Sequence, residues 1–134
     1  MAVIKSDAVT VVAPFETLRT HLENLNHYET LMTSDRIVDW QSTEDTCSFT
    51  VQGMTSIGMK REGTGLDSGI HLVSHGKNPF EFTMDILIRS VNDESCEVEV
   101  SFDGKMNFMI QTMASTPLKN LFNMMVNNLA NQFS

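Results

Sequence analysis

The sequence predicts an α+β fold in which a long C-terminal helix lies across a curved antiparallel sheet of about six to seven strands. Three observations predict it. From Arg36 to Asp103 apolar residues recur at every second position, the period of strands with one wet and one buried face. From about residue 108 the apolar spacing changes to three and four, the period of a helix, and no strand pattern follows. Near the N-terminus a stretch rich in Val, Ile and Thr runs into Pro14 and then a short helical pattern.

Each element follows from its residues. Residues 2–12 read as a first strand, and Pro14 stops the ladder while suiting a first helical turn, where its missing N–H costs nothing. Phe15, Leu18, Leu22 and Leu25 then fall at helical spacing over residues 14–25. Asn26, with Glu29 three residues on, predicts the cap of a second short helix whose buried side is Tyr28, Leu31 and Met32. Cys47, Phe49 and Val51 alternate with Ser48, Thr50 and Gln52, Gly53 marks a turn, and Ile57 with Met59 resumes the alternation. A turn region over 63–69 precedes Ile70 and Leu72, and Gly76-Lys77-Asn78-Pro79 forms another turn. Phe80, Phe82, Met84, Ile86 and Ile88 make the next buried row, with Leu87 alone breaking its polar side. After Asn92-Asp93-Glu94 the last strand alternates Cys96, Val98, Val100 and Phe102 with Glu97, Glu99, Ser101 and Asp103.

Such a meander needs a cover on one face, and only the C-terminal segment can supply it. Met113, Leu118, Leu121, Phe122, Met125 and Leu129 are read as one stripe, with Asn120, Asn123, Asn127, Asn128 and Asn131 opposite. The expected helix runs from about 108 to 132, bent near Pro117. No repeat or linker divides the chain, so residues 1–134 are expected to form one domain, long enough to bury a core without staples.

Composition removes several functions. The formal net charge is -8, and the nine basic residues are scattered singly or in the pair Lys60-Arg61. Nucleic-acid binding needs a basic stripe, so no nucleic-acid partner is expected. No segment approaches the roughly 18 apolar residues of a membrane span. Residues 1–12 contain no signal-peptide core. Cys47 and Cys96 are far apart and lie in apolar alternation, as buried free thiols do, with a single disulfide as the alternative. A reduced, cytoplasmic protein is the expectation.

The order of elements and three local segments resemble the START-like superfamily, also called SRPBCC or Bet-v-1-like and including the polyketide cyclase/dehydrase type. Val11-Val12-Ala13-Pro14-Phe15-Glu16-Thr17-Leu18 is similar to its opening strand and proline-started helix. Leu25-Asn26-His27-Tyr28-Glu29-Thr30-Leu31-Met32 is similar to its second helix, and Cys47-Ser48-Phe49 with Gly53-Met54 to its second and third strands. The resemblance implies a helix-grip fold, with two short helices after strand one. It also implies a space between helix and sheet that in the family often holds a lipid, sterol, polyketide or quinone. Members include enzymes, carriers and protein-binding modules, so the fold leaves the function open. This chain is short beside large lipid-transfer members, and its cavity should be small.

The expected cavity lining is Phe49, Val51, Ile57, Met59, Leu72, Phe82, Met84 and Val98 from the sheet and Met113, Leu121 and Met125 from the helix. Arg61 shares the phase of Ile57 and Met59 and could meet a ligand's carboxylate or carbonyl, or else reach to water from its strand end. Ten methionines is a high number, and five lie within residues 106–125. Flexible, polarizable Met suits a pocket for varied apolar guests, and equally suits the filling of a packed core.

No catalytic residue is assigned, since G-x-S-x-G, G-x-G-x-x-G and P-loop patterns are all missing. No metal or cofactor is expected. His71 and His75 sit on a strand, where a four-residue separation puts them roughly 13 Å apart, too far to share an ion. His21 and His27 read as isolated residues at the surface or core edge. The leading expectation is a binder of a hydrophobic small molecule (a lipid, isoprenoid or aromatic metabolite). Its first rival is a protein-interaction module or homodimer through the uncharged side of the C-terminal helix. The second is a cyclase/dehydratase-like enzyme using Arg61, Tyr28, Asp39 or His21.

Overall fold

A computed structural model describes residues 2–52, 55–62, 69–76 and 78–133. The elements in chain order are β1 (Ala2–Lys5), β2 (Val9–Val11), α1 (Phe15–Glu23), a 3₁₀ helix (Leu25–Thr30), β3 (Ile37–Ser42), β4 (Thr46–Val51), β5 (Thr55–Arg61), β6 (Gly69–Ser74), β7 (Phe82–Asn92), β8 (Ser95–Gly104) and α2 (Phe108–Gln132). All neighbouring strands are antiparallel, in the order β1-β8-β7-β6-β5-β4-β3, with β2 also on β8. The predicted α+β meander with a long C-terminal helix is the fold observed. The turns expected at Gly53, over 63–68 and at Lys77 lie outside the described residues.

The first strand is interrupted, which raises the strand count to eight. Lys5 pairs with Ser101, yet Val9 pairs with Val98, so residues 6–8 face only Glu99 and Val100. Ser6 fills this bulge. Its N–H donates to the Val100 carbonyl at 2.9 Å and its hydroxyl accepts from the Val100 N–H at 2.8 Å. Alternating Val and Ile cannot reveal such a bulge, because a serine reads as an ordinary polar position.

A second bulge lies in β3, where the register changes between Val38 and Gln41. Asp39 takes φ 55°, which Asp tolerates better than most residues. The bulge turns Trp40 onto Phe49, with ring centroids 5.4 Å apart and planes at 14°.

The helices correct the sequence reading in two places. Asn24, not Asn26, caps the second helix: its side chain accepts from the Asn26 N–H at 3.0 Å. That helix begins at Leu25 and is 3₁₀. In α2 the predicted span is observed, with Asn107 accepting from the Ile110 N–H at 2.9 Å and Pro117 inside the helix. Its buried side is Ala114, Leu118, Leu121, Phe122, Met125, Val126 and Leu129. Met113 does not belong to it and is 71% exposed. The five-residue step from Met113 to Leu118 turns the helix by about 500°, so Met113 lies well off the stripe. Ala114, four residues before Leu118, occupies the inward position and lets the helix approach closely.

The helix α2 lies beside β1, β2 and β8, and α1 beside β6 and β7. Between them the inner faces of β4 to β8 form one core with Leu18, Leu22, Leu25 and Tyr28. No helix among the described residues is long and apolar enough to cross a membrane.

Candidate functional site

Between α2 and the sheet, the inward positions predicted from alternation are closely packed. Phe49, Leu72, Met84, Val98 and Met125 expose 2% or less of their surface. Val51, Ile57, Met59, Phe82 and Leu121 are also buried. Neighbouring atoms therefore close around these side chains in this conformation. Phe82 stacks on Phe102 at 5.0 Å, and Phe102 meets Phe122 of α2 at 5.3 Å. Five methionines (Met32, Met59, Met84, Met106 and Met125) join this interior. Among the described residues, the buried set holds one polar side chain, Ser6, besides Tyr28 and the two thiols.

Two residues named for the cavity lie elsewhere. Met113 is outside, and Arg61 is engaged with the backbone. One guanidinium nitrogen of Arg61 donates to the Glu23 carbonyl at 2.7 Å, and the other to Asp45 Oδ1 at 2.6 Å. Glu23 ends α1, so Arg61 caps a helix C-terminus, where carbonyls lack intrahelical partners and positive charge is favoured.

Tyr28, another candidate, and His27 do the same work. The Tyr28 hydroxyl donates to the Leu22 carbonyl at 2.8 Å, and His27 Nδ1 lies 2.6 Å from the His21 carbonyl oxygen. Three successive carbonyls of the last turn of α1 are thus served by His27, Tyr28 and Arg61. Full burial pushes the Tyr28 hydroxyl well above its usual pKa, so it remains a proton donor. Tyr28→Phe leaves the Leu22 carbonyl without its partner and should lower unfolding free energy by about 1–2 kcal/mol in denaturant titration. Asp39 stands exposed on its bulge, and His21 is half-buried against His27. The four residues weighed for catalysis do not converge on one hollow. The polarity that drew notice in the sequence serves to end a helix, a role that depends on contacts 6 to 38 residues away.

Of the two histidines read on one strand, His71 lies on β6 and His75 just past its end. His71 Nδ1 lies 2.6 Å from Asp85 Oδ1 on the outer face, where the two are cross-strand partners. His75 is exposed, and no cluster of three metal-ligating side chains exists among the described residues. Cys47 and Cys96 are free and buried, and burial pushes the Cys47 thiol up to about 12. A thiol reagent at neutral pH should label neither cysteine in the native protein and both after unfolding, because the thiolate is the nucleophile. Rapid native labelling of Cys47 would contradict the packing described.

Hollows occur on the surface. One of about 480 Å³ is lined by Phe15, Leu87, Ile88 and the Arg89–Glu97 ion pair, so Leu87, the residue out of pattern, meets α1's first residue there. Another of about 500 Å³ lies against β4, β5 and His75. The most apolar exposed surface is on α2, where Phe108, Met109 and Met113 are 84%, 71% and 71% exposed. Met109 and Met113 lie opposite the buried stripe, whereas Phe108, about five whole turns before the buried Val126, is exposed because it begins the helix. The sequence reading missed this patch, although the angular position of Met109 about the helix contained the signal. Lys119 is the one charged residue of α2.

Neither a family model nor a curated protein matches the chain. Solved structures do. A START superfamily protein from Mycobacterium smegmatis superposes with a TM-score of 0.68 at 14% identity, covering 98% of this chain and 96% of its own. Thus the chain has a START-like fold. Norcoclaurine synthase from Thalictrum flavum, in complex with a transition-state analogue, gives a TM-score of 0.75 at 10% identity over 98% of this chain and 93% of that one. An uncharacterised protein from Bacillus thuringiensis gives 0.71 at 11% identity over 98% of both. At these identities the START-like domain shares architecture with its neighbours, and its chemistry must be argued from its own residues.

Proposed function

We propose that this START-like domain binds a small hydrophobic molecule between α2 and the inner face of the sheet. The observation that carries the reading is the nature of that interior. It is walled by aromatic rings and five methionines, and the buried polar groups beside it are already hydrogen-bonded or are thiols. Nothing there can orient a carboxylate or sugar, so a guest would be selected by shape and dispersion. A lipid chain, isoprenoid or small aromatic metabolite fits that description. Unbranched methionine side chains can rearrange at low cost, so a guest displaces them instead of entering an open hole. A structural neighbour, norcoclaurine synthase, has been seen with dopamine and hydroxybenzaldehyde, two small aromatic molecules, which supports the reading by analogy of fold.

Native mass spectrometry tests it directly, first on the protein as purified and then after incubation with fatty acids, isoprenoid quinones and simple aromatics. Trp40, the single tryptophan, reports on the same event because it stacks on Phe49. A bound mass and a change in Trp40 emission are expected for at least one class. An apo mass throughout, with emission unchanged, overturns the proposal.

The exposed patch of Phe108, Met109 and Met113 favours a second reading, a protein partner or second copy docked on α2. The rest of that face carries Thr116, Asn120, Asn123 and Asn127, so a strongly acidic chain meets little repulsion there. Met109→Asp with Met113→Asp should abolish any self-association seen by light scattering. A monomer at all concentrations in the unmodified protein, with nothing crosslinked to α2, removes this reading.

A further inference from the structure

The C-terminal turn of α2 is fastened to the end of the 3₁₀ helix, to the residues just after it and to α1. The Asn128 side-chain amide donates to the Leu31 carbonyl at 2.8 Å and to Thr33 Oγ1 at 3.2 Å. Gln132 donates to Thr30 Oγ1 at 2.9 Å. Phe133 sets its ring perpendicular to that of His21, with centroids 5.4 Å apart. Behind His21 lies His27, its ring stacked at 4.2 Å with only 12° between planes. His27 Nδ1 donates to the His21 carbonyl. His21 Nε2 is buried and has no hydrogen-bond partner.

We propose that the stacked His21–His27 pair is an acid-sensitive latch that holds the last turn of α2 while neutral and releases it when both rings are protonated. The Nδ1–H of His27 serves the C-terminus of α1, where positive charge is favoured. Protonating His21 as well meets two costs. Two parallel imidazolium rings repel at this separation, and the Gln132 side chain, which favours the charged form of His21, offsets only part of the cost of charging a buried nitrogen. Water can reach it only if Phe133 and Gln132 move. Among the described residues around the pair, Arg19 and Glu23 of α1 bind one another at 3.4 Å, Glu29 of the 3₁₀ helix is exposed, and Asn128, Gln132 and Phe133 of the α2 end are uncharged. Burial, and then His27, lower the pKa of His21, and the Gln132 side chain raises it by less.

The sign follows from linkage. The unfolded chain takes up a proton on His21 before the folded one does, so stability contributed by the neutral ring is lost as pH falls below the unfolded value of 6.5. The latch stands apart from the proposed ligand and can be tested without one. Amide exchange of residues 126–133, corrected for the intrinsic pH effect, should accelerate on the order of tenfold relative to β7 between about pH 7.5 and about pH 5. In His21→Gln/His27→Gln that acceleration should vanish. Should this variant fail to fold, imidazole NMR titration of the unmodified protein decides instead. The two rings should titrate in steps separated by about one pH unit or more. Titration of both together near the ordinary histidine value, or an unchanged acid response in the double variant, overturns the proposal.

Discussion

Gly69→Ala is expected to be the most damaging single substitution at an unremarkable position, lowering stability by about 3–4 kcal/mol. Gly69 opens β6 with φ 151°, a conformation that side chains rarely adopt. A methyl group there would lie 1.9 Å from the Ile86 carbonyl oxygen and 3.0 Å from the Ile86 carbonyl carbon. Ile86 cannot yield, because it is paired on one side with Ile70 and on the other with Val100 at the centre of the sheet. The clash is with backbone, so no rotamer change relieves it. Gly76→Ala is the control: its φ of 78° also disfavours alanine, but nothing lies within 4 Å. It should cost about 1 kcal/mol. Denaturant unfolding of both variants checks the ranking, and equal losses would mean that conformation and not the approach of β7 sets the penalty.

Arg61→Met should remove about 2 kcal/mol and lower the melting temperature by about 6–10 °C. The substitution keeps the apolar stem and deletes the two contacts that join the end of α1 to the β3–β4 hairpin. The Glu23 carbonyl is left without a donor, and Asp45 without its cation. Arg61 is partly exposed, so water offsets some of the loss. Arg61→Lys should recover less than half, since a single ammonium cannot span a carbonyl and a carboxylate as the fork does. This variant also separates two roles. If Arg61 only caps α1, the affinity for a hydrophobic guest is unchanged at temperatures where the variant is folded. A selective loss of affinity with stability intact would restore Arg61 as a ligand contact.

What could be read in the chain before folding, and what could not, divides along a physical line. Period-two alternation identified the inward faces of β4 to β8, and period-three-and-four spacing identified the extent of α2, because burial of a face is a property repeated along one element. Pro14 marked a helix start through local backbone chemistry. Met113 was misplaced only because a five-residue step was accepted as part of a stripe.

The polar residues behaved differently. Arg61 and Tyr28 looked like loose candidates for a site, and with His27 they converge instead on three carbonyls at the end of α1. His21 and His27 looked isolated, yet the turn between α1 and the 3₁₀ helix stacks them and α2 covers them. A polar side chain's role depends on which donor or acceptor lies within 3 Å, and that partner comes from another element. Thus the sequence by itself determined the α+β order, the apolar sheet face and the helix that covers it. Only tertiary structure decided that the interior is packed, that the polar groups cap a helix, and that α2 ends against a histidine pair. Periodicity records which face avoids water, whereas distances between elements exist only once the chain has closed.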